Sequence, residues 1–268
     1  MKVSIVIPCY NDGKYLKNAV ESVVKIKSPE VELIIVNDGS HDTETLQLLA
    51  SYKQEGLKVL SHENRGLAYT RNRGIKEARG EYILPLDADN IIKPGYIEKG
   101  IGLLDSQRFD IIYARPFFLG EDLPDRKFNP YNFIGQDLFW GNYIDACAIY
   151  RKEVWETVGG YDEKMPYQGY EDWEFWVNCY LSGCRFKYIK EELFGYTIRK
   201  ESMITQLMNE KKYAQCYDYI VKKHAIGMLK SLKGIYDVHK KQQRNYLKTS
   251  LKYLIKPVTE LFKGRPHQ

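Results

Sequence analysis

The first ninety residues alternate short apolar runs with amphipathic segments, and few architectures accept that rhythm. Val3 to Ile7, Val31 to Val36, Leu57 to Leu60 and Tyr82 to Leu86 read as strands. Between the first two, residues 14–25 carry Leu16, Ala19, Val20, Val23 and Val24 at the three-to-four spacing of a core-facing helix. Asp42 or Thr43 opens a second helix to about Tyr52. Leu67 to Ala78 forms a third, closed by Arg79-Gly80 with glycine in a left-handed cap. This alternation predicts an α/β fold with a parallel, doubly wound sheet and right-handed crossovers. Such sheets bind ligands beyond the carboxyl ends of their strands. Three loops fall there, at residues 8–13, 37–40 and 87–90.

The later chain is less regular. A helix is expected over 94–105, a strand over 111–113, an irregular segment over 116–142, a strand over 146–150 and a short helix over 152–158. Another helix follows Gly169 and a strand covers 186–189, with residues 194–202 ending the compact part. A length of 268 residues accommodates one large domain and an appendage, here 1–209 and 210–268. Charge marks the division. Twelve Lys and two Arg against two Glu and two Asp leave 210–268 at +10, so with +5 overall the body carries −5. The tail reads either as a solvated helix packed on the domain or as a basic amphipathic helix on an anionic membrane. Its aromatics, among them Tyr246 and Tyr253, sit at helical spacing with Leu247, Leu251, Leu254 and Ile255, so nucleic acid is not the expected partner. Five scattered cysteines without a Cys-x-x-Cys pair indicate neither a zinc site nor a disulfide framework. No apolar run approaches the ~20 residues of a membrane span, and the apolar start is too short for a signal peptide. The expectation is a cytoplasmic chain, peripheral at the inner face of the membrane where the tail binds lipid.

Candidate chemistry lies where apolar runs stop on acids. Asp87 and Asp89 end the fourth strand, one residue apart, and offer hard oxygens of the kind Mg²⁺ or Mn²⁺ takes. They are equally ordinary turn residues. Asp38 ends the second strand, either as an acceptor for a nucleobase N–H or as a helix cap. Glu171 and Asp172 open a helix, where acids balance the helix dipole or where one of them serves as a general base. Arg199 and Lys200 are a diphosphate clamp or a solvated basic turn. A glycine fingerprint and a P-loop are both missing, which excludes the usual dinucleotide and triphosphate devices.

Together these stretches resemble glycosyltransferase family 2, with its GT-A fold: a mostly parallel, Rossmann-like sheet flanked by helices. Val3 to Asn11 looks like the family's first strand and loop. Ile34 to Ser40 looks like the second, with Asn37 in place of the first of two aspartates. Asn64 to Gly74 matches a nucleotide-lining segment. Asp87-Ala88-Asp89 matches the Asp-x-Asp signature, and Glu171-Asp172 the catalytic acidic pair. The resemblance covers residues 1–205 and implies inverting transfer of a hexosyl or N-acetylhexosaminyl group from a nucleotide-sugar, with a UDP-sugar the expected donor, to an acceptor hydroxyl. It implies Asp172 as the base with Glu171 beside it. Pro8, Tyr10, Asn11, Asp38, Gly66, Arg71, Asp87, Ala88 and Arg199 are the nucleotide contacts it implies, with a divalent cation on Asp89 and Asp87. Asp38 and Arg71 would fix the uracil and its surroundings. The family often has histidine near Arg199; arginine cannot ligate a cation, which favours a diphosphate contact there. Trp140, Tyr143, Tyr170 and Trp173 are sugar-stacking or core residues. A saccharide or lipid-linked acceptor in surface polysaccharide or glycolipid assembly fits the tail. A non-catalytic nucleotide-sugar binder would lack one of these acids. A nucleotidyltransferase would need a basic triphosphate grip near the first loop, and none is seen.

Overall fold

A computed structural model describes residues 1–121, 127–200, 202 and 212–263, with backbone alone for residue 246 and for 248–263. The chain divides into two compact units, Met1–His224 and Ala225–Gln268. The junction expected at 209 and 210 lies outside the described residues, as do the side chains of Tyr246, Leu251, Tyr253, Leu254 and Ile255.

In the first unit the elements are β1 (Val3–Cys9), α1 (Gly13–Val24), β2 (Val31–Asp38), α2 (Thr43–Gln54), β3 (Lys58–His62), α3 (Leu67–Glu77), β4 (Tyr82–Pro85), β5 (Ile91–Ile92), α4 (Pro94–Asp105) and β6 (Ile111–Gly120). A 3₁₀ turn at Gly135–Phe139 precedes β7 (Ile149–Arg151), α5 (Lys152–Val158), α6 (Glu171–Leu181), β8 (Phe186–Ile198) and the start of α7 (Tyr213–Lys263). One sheet runs in the order β3-β2-β1-β4-β7-β6-β8-β5. Every residue of β1 is buried, as a strand covered on both faces requires.

The expected parallel sheet holds for β3, β2, β1 and β4. Beyond β4 it is mixed, because β7 runs antiparallel to both neighbours. No crossover helix separates β6 from β7, so nothing forces the parallel direction. Residues 116–120 and 190–198, expected outside strands, belong to β6 and β8 and pair with one another from Pro116↔Phe194 to Gly120↔Ile198. A register shift flanks Pro116, which has no N–H for the ladder. The expected strand at 146–150 shrinks to Ile149–Arg151. Gly80 is not a left-handed cap; α3 ends on Ala78 in extended conformation. What Gly80 supplies is space, since a Cβ there would sit 2.5 Å from the Ser4 amide nitrogen on β1.

The helix α6 is apolar on most of its circumference and buries Trp173, Phe175 and Trp176. The two indoles donate to carbonyls of the preceding segment, Trp173 Nε1 to Leu138 (2.7 Å) and Trp176 Nε1 to Ile144 (3.0 Å). The first turns of α7 lie on α6. Tyr213 is parallel to Trp173 at 6.0 Å between centroids. Lys223 and His224 both reach the buried Glu174, at 2.7 and 2.6 Å. In the second unit α7 continues to Lys263. Among the described residues no helix is long and apolar enough to cross a membrane.

Candidate active site

The carboxyl ends of β1, β2 and β4, the end of β8 and the start of α6 surround a cavity of about 640 Å³. Both Asp89 and Asp172 line it, so the acids expected at one rim share one space. Pro8, Tyr10, Asp38, Gly66, Arg71, Asp87, Ala88, Glu171 and Arg199 line it too. Asn11 does not. Its left-handed backbone (φ 53°) and side chain stitch two loops, with Oδ1 accepting from the amides of His41 (2.9 Å) and Asp42 (3.2 Å). Asn11 thus tethers the two loops beside the cavity rather than lining it.

Asp38 accepts from the amides of Arg65 (2.7 Å) and Gly66 (3.0 Å), which pins the loop before α3. A nucleobase would meet only its remaining lone pairs. Gly66, at φ 86°, is required where it stands: a Cβ would lie 2.7 Å from the Gln168 side chain, whose Oε1 accepts from the Leu67 amide.

Arg71 lines the cavity but is held by acids. It is 1% exposed, and its guanidinium bridges Asp87 (2.6 Å) and Glu171. Glu171 is itself 2% exposed and also accepts from the Gly169 amide. Both acids of the pair line the cavity, but Glu171 is buried against an arginine whereas Asp172 is partly exposed. That second acid, Asp172, accepts from Asn142 Nδ2 at 2.9 Å and from the Trp173 amide at 2.7 Å. Burial, then the neighbouring charge of Glu171, pushes its pKa well above the ordinary carboxylate range.

The turn after β4 is fixed from both sides. Asn90 Oδ1 accepts from the Thr197 amide (2.9 Å), and Thr197 Oγ1 donates to the Asp89 carbonyl. Arg199, just past β8, places one nitrogen on Asp12 (2.9 Å) and another on Asp89 (2.7 Å), with the Tyr15 ring 4.8 Å from its guanidinium carbon. Burial pushes Asp89 up to about 7 against the pull of Arg199. Asp87 and Asp89 each meet an arginine through a single oxygen. Among the described residues no three His, Cys, Asp or Glu side chains converge on one point. Asp87 and Asp89 carry the carboxylate oxygens that hard cations take alongside phosphates and water.

Sequence reading missed Asp12, Asn142 and Asp145. The first had a signal, an acid in the loop beyond β1. Asp145 lay inside a segment with no periodicity to place it; it lines the cavity, gives one oxygen to the Cys147 amide (2.8 Å), and is pushed up to about 7 by burial and by Asp87. Of the four aromatics, Trp173 is 1% exposed and belongs to the core, whereas Trp140 is 68% exposed. Tyr143 and Tyr170 line the cavity.

Sheet order and the acid-lined cleft are those of a GT-A fold. A crystal structure of S. aureus TarS 1–349 in complex with UDP-GlcNAc superposes with a TM-score of 0.64 at 24% identity, covering 76% of this chain and 61% of that one. The sequence matches the model of "Glycosyl transferase family 2" over residues 4–159. The chain belongs to glycosyltransferase family 2. Among its relatives, an uncharacterized glycosyltransferase of Methanocaldococcus jannaschii is 26% identical over 234 residues, 83% of this chain and 79% of that protein. Glycosyltransferase GlyG of Streptococcus pneumoniae is 32% identical over 195 residues, 72% of this chain and 58% of that protein. The chain thus spans less than two thirds of some relatives it matches. The family match ends before α6 and does not reach Asp172.

Proposed function

We propose that this chain moves a hexosyl or N-acetylhexosaminyl group from a UDP-sugar to an acceptor hydroxyl with inversion at the anomeric carbon. One observation carries the reading: Asp172 and the Arg199–Asp89 pair line the same cavity, an acid for the acceptor and an anion grip for the leaving diphosphate. Tyr10, 44% exposed at the cavity wall, presents a ring face to the base, beside Asp38. Asp172 takes the acceptor proton as attack proceeds from the face opposite the diphosphate, and Asn142 orients its carboxylate. Glu171 keeps Arg71 in place, and Arg71 in turn holds Asp87.

Asp87 and Asp89 would hold a divalent cation, Mg²⁺ or Mn²⁺, whose chemistry there is Lewis-acid stabilisation of the departing diphosphate. The charge balance supports such an ion. Seven acids line the cavity (Asp12, Asp38, Asp87, Asp89, Asp145, Glu171 and Asp172) against Arg71 and Arg199. A dianionic substrate entering that field needs added positive charge. The fitting acceptor is a saccharide or lipid-linked saccharide of surface polysaccharide or glycolipid assembly, reached at a membrane through the basic tail. Hydrolysis of a panel of UDP- and GDP-sugars with Mn²⁺ and no acceptor tests the donor. Release from one UDP-sugar in the unmutated protein, lost in Asp172→Asn, is the expected result. Turnover unchanged in that variant removes Asp172 from the role.

A further inference from the structure

Residues 225–247 belong to the second compact unit, and their exposed face has no function in the sugar-transfer site. At 100° per residue, Leu229, Leu232, Ile235 and Tyr236 fall within an arc of about 120° on α7, to which Leu247 returns past the polar pair His239 and Gln243. All are exposed, Leu229 by 67% and Tyr236 and Leu247 by 61% each. Lys230, Lys233, Lys240, Lys241 and Arg244 occupy an arc of about 100° that adjoins the first along one edge. Asp237, the one acid between 225 and 247, falls inside the basic arc, as does Ile226. Lys240 lies 5.6 Å from the centre of the Tyr236 ring, at the border of the two arcs.

A helix does not leave a two-turn apolar stripe such as Leu229-Leu232-Ile235-Tyr236 in water without a partner for it. Five cations beside that stripe select the partner. A second copy of the helix would have to bring its own lysines and Arg244 alongside these, and like charges at close range oppose that pairing. An anionic lipid surface satisfies both arcs at once. The apolar side chains enter the acyl boundary, the lysine stems lie along it with their ammonium groups among the headgroups, and tyrosine sits at the interface. We propose that this stretch of α7 lies in the plane of an anionic membrane on its Leu229-Leu232-Ile235-Tyr236 face. The inference deepens the membrane-proximal acceptor reading and rests on it for its biological use; the physical association is measured separately from sugar transfer.

Co-sedimentation of the full chain with phosphatidylcholine vesicles, with and without phosphatidylglycerol, is the test. The protein is expected to pellet only with the anionic vesicles, and less at high salt. Lys233→Gln with Lys240→Gln removes two charges and should lower the partition about thirtyfold. Leu229→Glu with Tyr236→Glu should abolish it. Both pairs lie outside the cavity, so UDP-sugar hydrolysis is the same in all three proteins. Equal pelleting with neutral vesicles, retention by either variant, or a dimer by sedimentation equilibrium without vesicle binding overturns the proposal. Vesicle binding with no hydrolysis of any nucleotide-sugar would sink the transfer reading and leave this one standing.

Discussion

Asp172 has to be ionised to accept a proton, and its surroundings oppose ionisation. Burial and the adjacent Glu171 raise its pKa, while Arg71 pulls the other way. The acid limb of kcat should therefore lie well above pH 4, the range of an unperturbed aspartate. Asp172→Asn keeps the hydrogen-bonding shape at Asn142 but removes the acceptor of the proton. It should lose about 10²–10⁴ in kcat, the usual scale of general-base catalysis, with UDP affinity by calorimetry unchanged. Glu171→Gln should behave differently. It leaves Arg71 buried with one carboxylate instead of two, so activity falls and stability drops by about 2 kcal/mol, below the cost of an outright broken buried pair because Asp87 remains. A Glu171→Gln protein that melts like the unmutated one would put Arg71 under other control. Arg199 makes a third case. It already sits on Asp89, so a cation arriving without donor must compete with a guanidinium. Arg199→Gln should bind Mn²⁺ more tightly than the unmutated protein in the absence of UDP, read by calorimetry; equal affinities would show that Arg199 does not occupy the carboxylate in solution.

The helix α6 ties the acidic pair to the rest of the molecule, and its start was visible from Gly169 and the periodic run Trp173, Trp176, Val177 and Tyr180. What the run could not show was which of the two cavity acids is bound to an arginine. That is decided by Arg71, a hundred residues earlier, and no local pattern encodes the meeting. The same limit explains β8. Lys190, Glu191 and Glu192 are exposed, which interrupts the apolar pattern, yet the strand continues because β6 supplies its ladder. The early strands were legible because they are covered on both faces and read as unbroken apolar runs. The partner of α6 was not legible either, since the first turns of α7 looked like any basic amphipathic segment. There Lys223 bridges Asp162 at 2.6 Å and Glu174 at 2.7 Å, and Glu174 is fully buried. Lys223→Ala leaves Glu174 to His224 alone and should cost about 2 kcal/mol, below the figure for an outright broken buried pair because one partner remains. Chemical denaturation at neutral pH measures it; an unchanged midpoint would mean that His224 suffices.

Across the whole molecule the cavity stores unfavourable charge, and that has a pH signature. Asp145 is pushed up to about 7 by burial and by Asp87, whereas the same side chain in the unfolded chain titrates near ~3.9. Below the unfolded value both states carry the proton and the group contributes nothing against folding. As pH rises from about 4 to about 7 the unfolded chain ionises first, so stability is lost through that window. Above it the folded carboxylate ionises too, and the penalty stays constant. Asp172 acts in the same direction. Glu32, Asp110 and Asp162 act oppositely. Bonds from Arg79 and Ser4 (Glu32), from Arg185 (Asp110), and from Lys223 and Tyr219 (Asp162) pull their values down. Their gain is complete above the ordinary carboxylate range. The donor-free protein should therefore melt at a lower temperature at pH 8 than at pH 5. Asp145→Asn keeps the acceptor for the Cys147 amide and removes the charge. It should flatten the pH slope by at most about 4 kcal/mol, the ceiling set by three pH units of linkage. Parallel melting curves for the two proteins across pH 5–8 would show that the Asp145 carboxylate is not the group resisting ionisation. The residual acid slope would then have to come from Asp172, whose removal in Asp172→Asn is read on the same instrument.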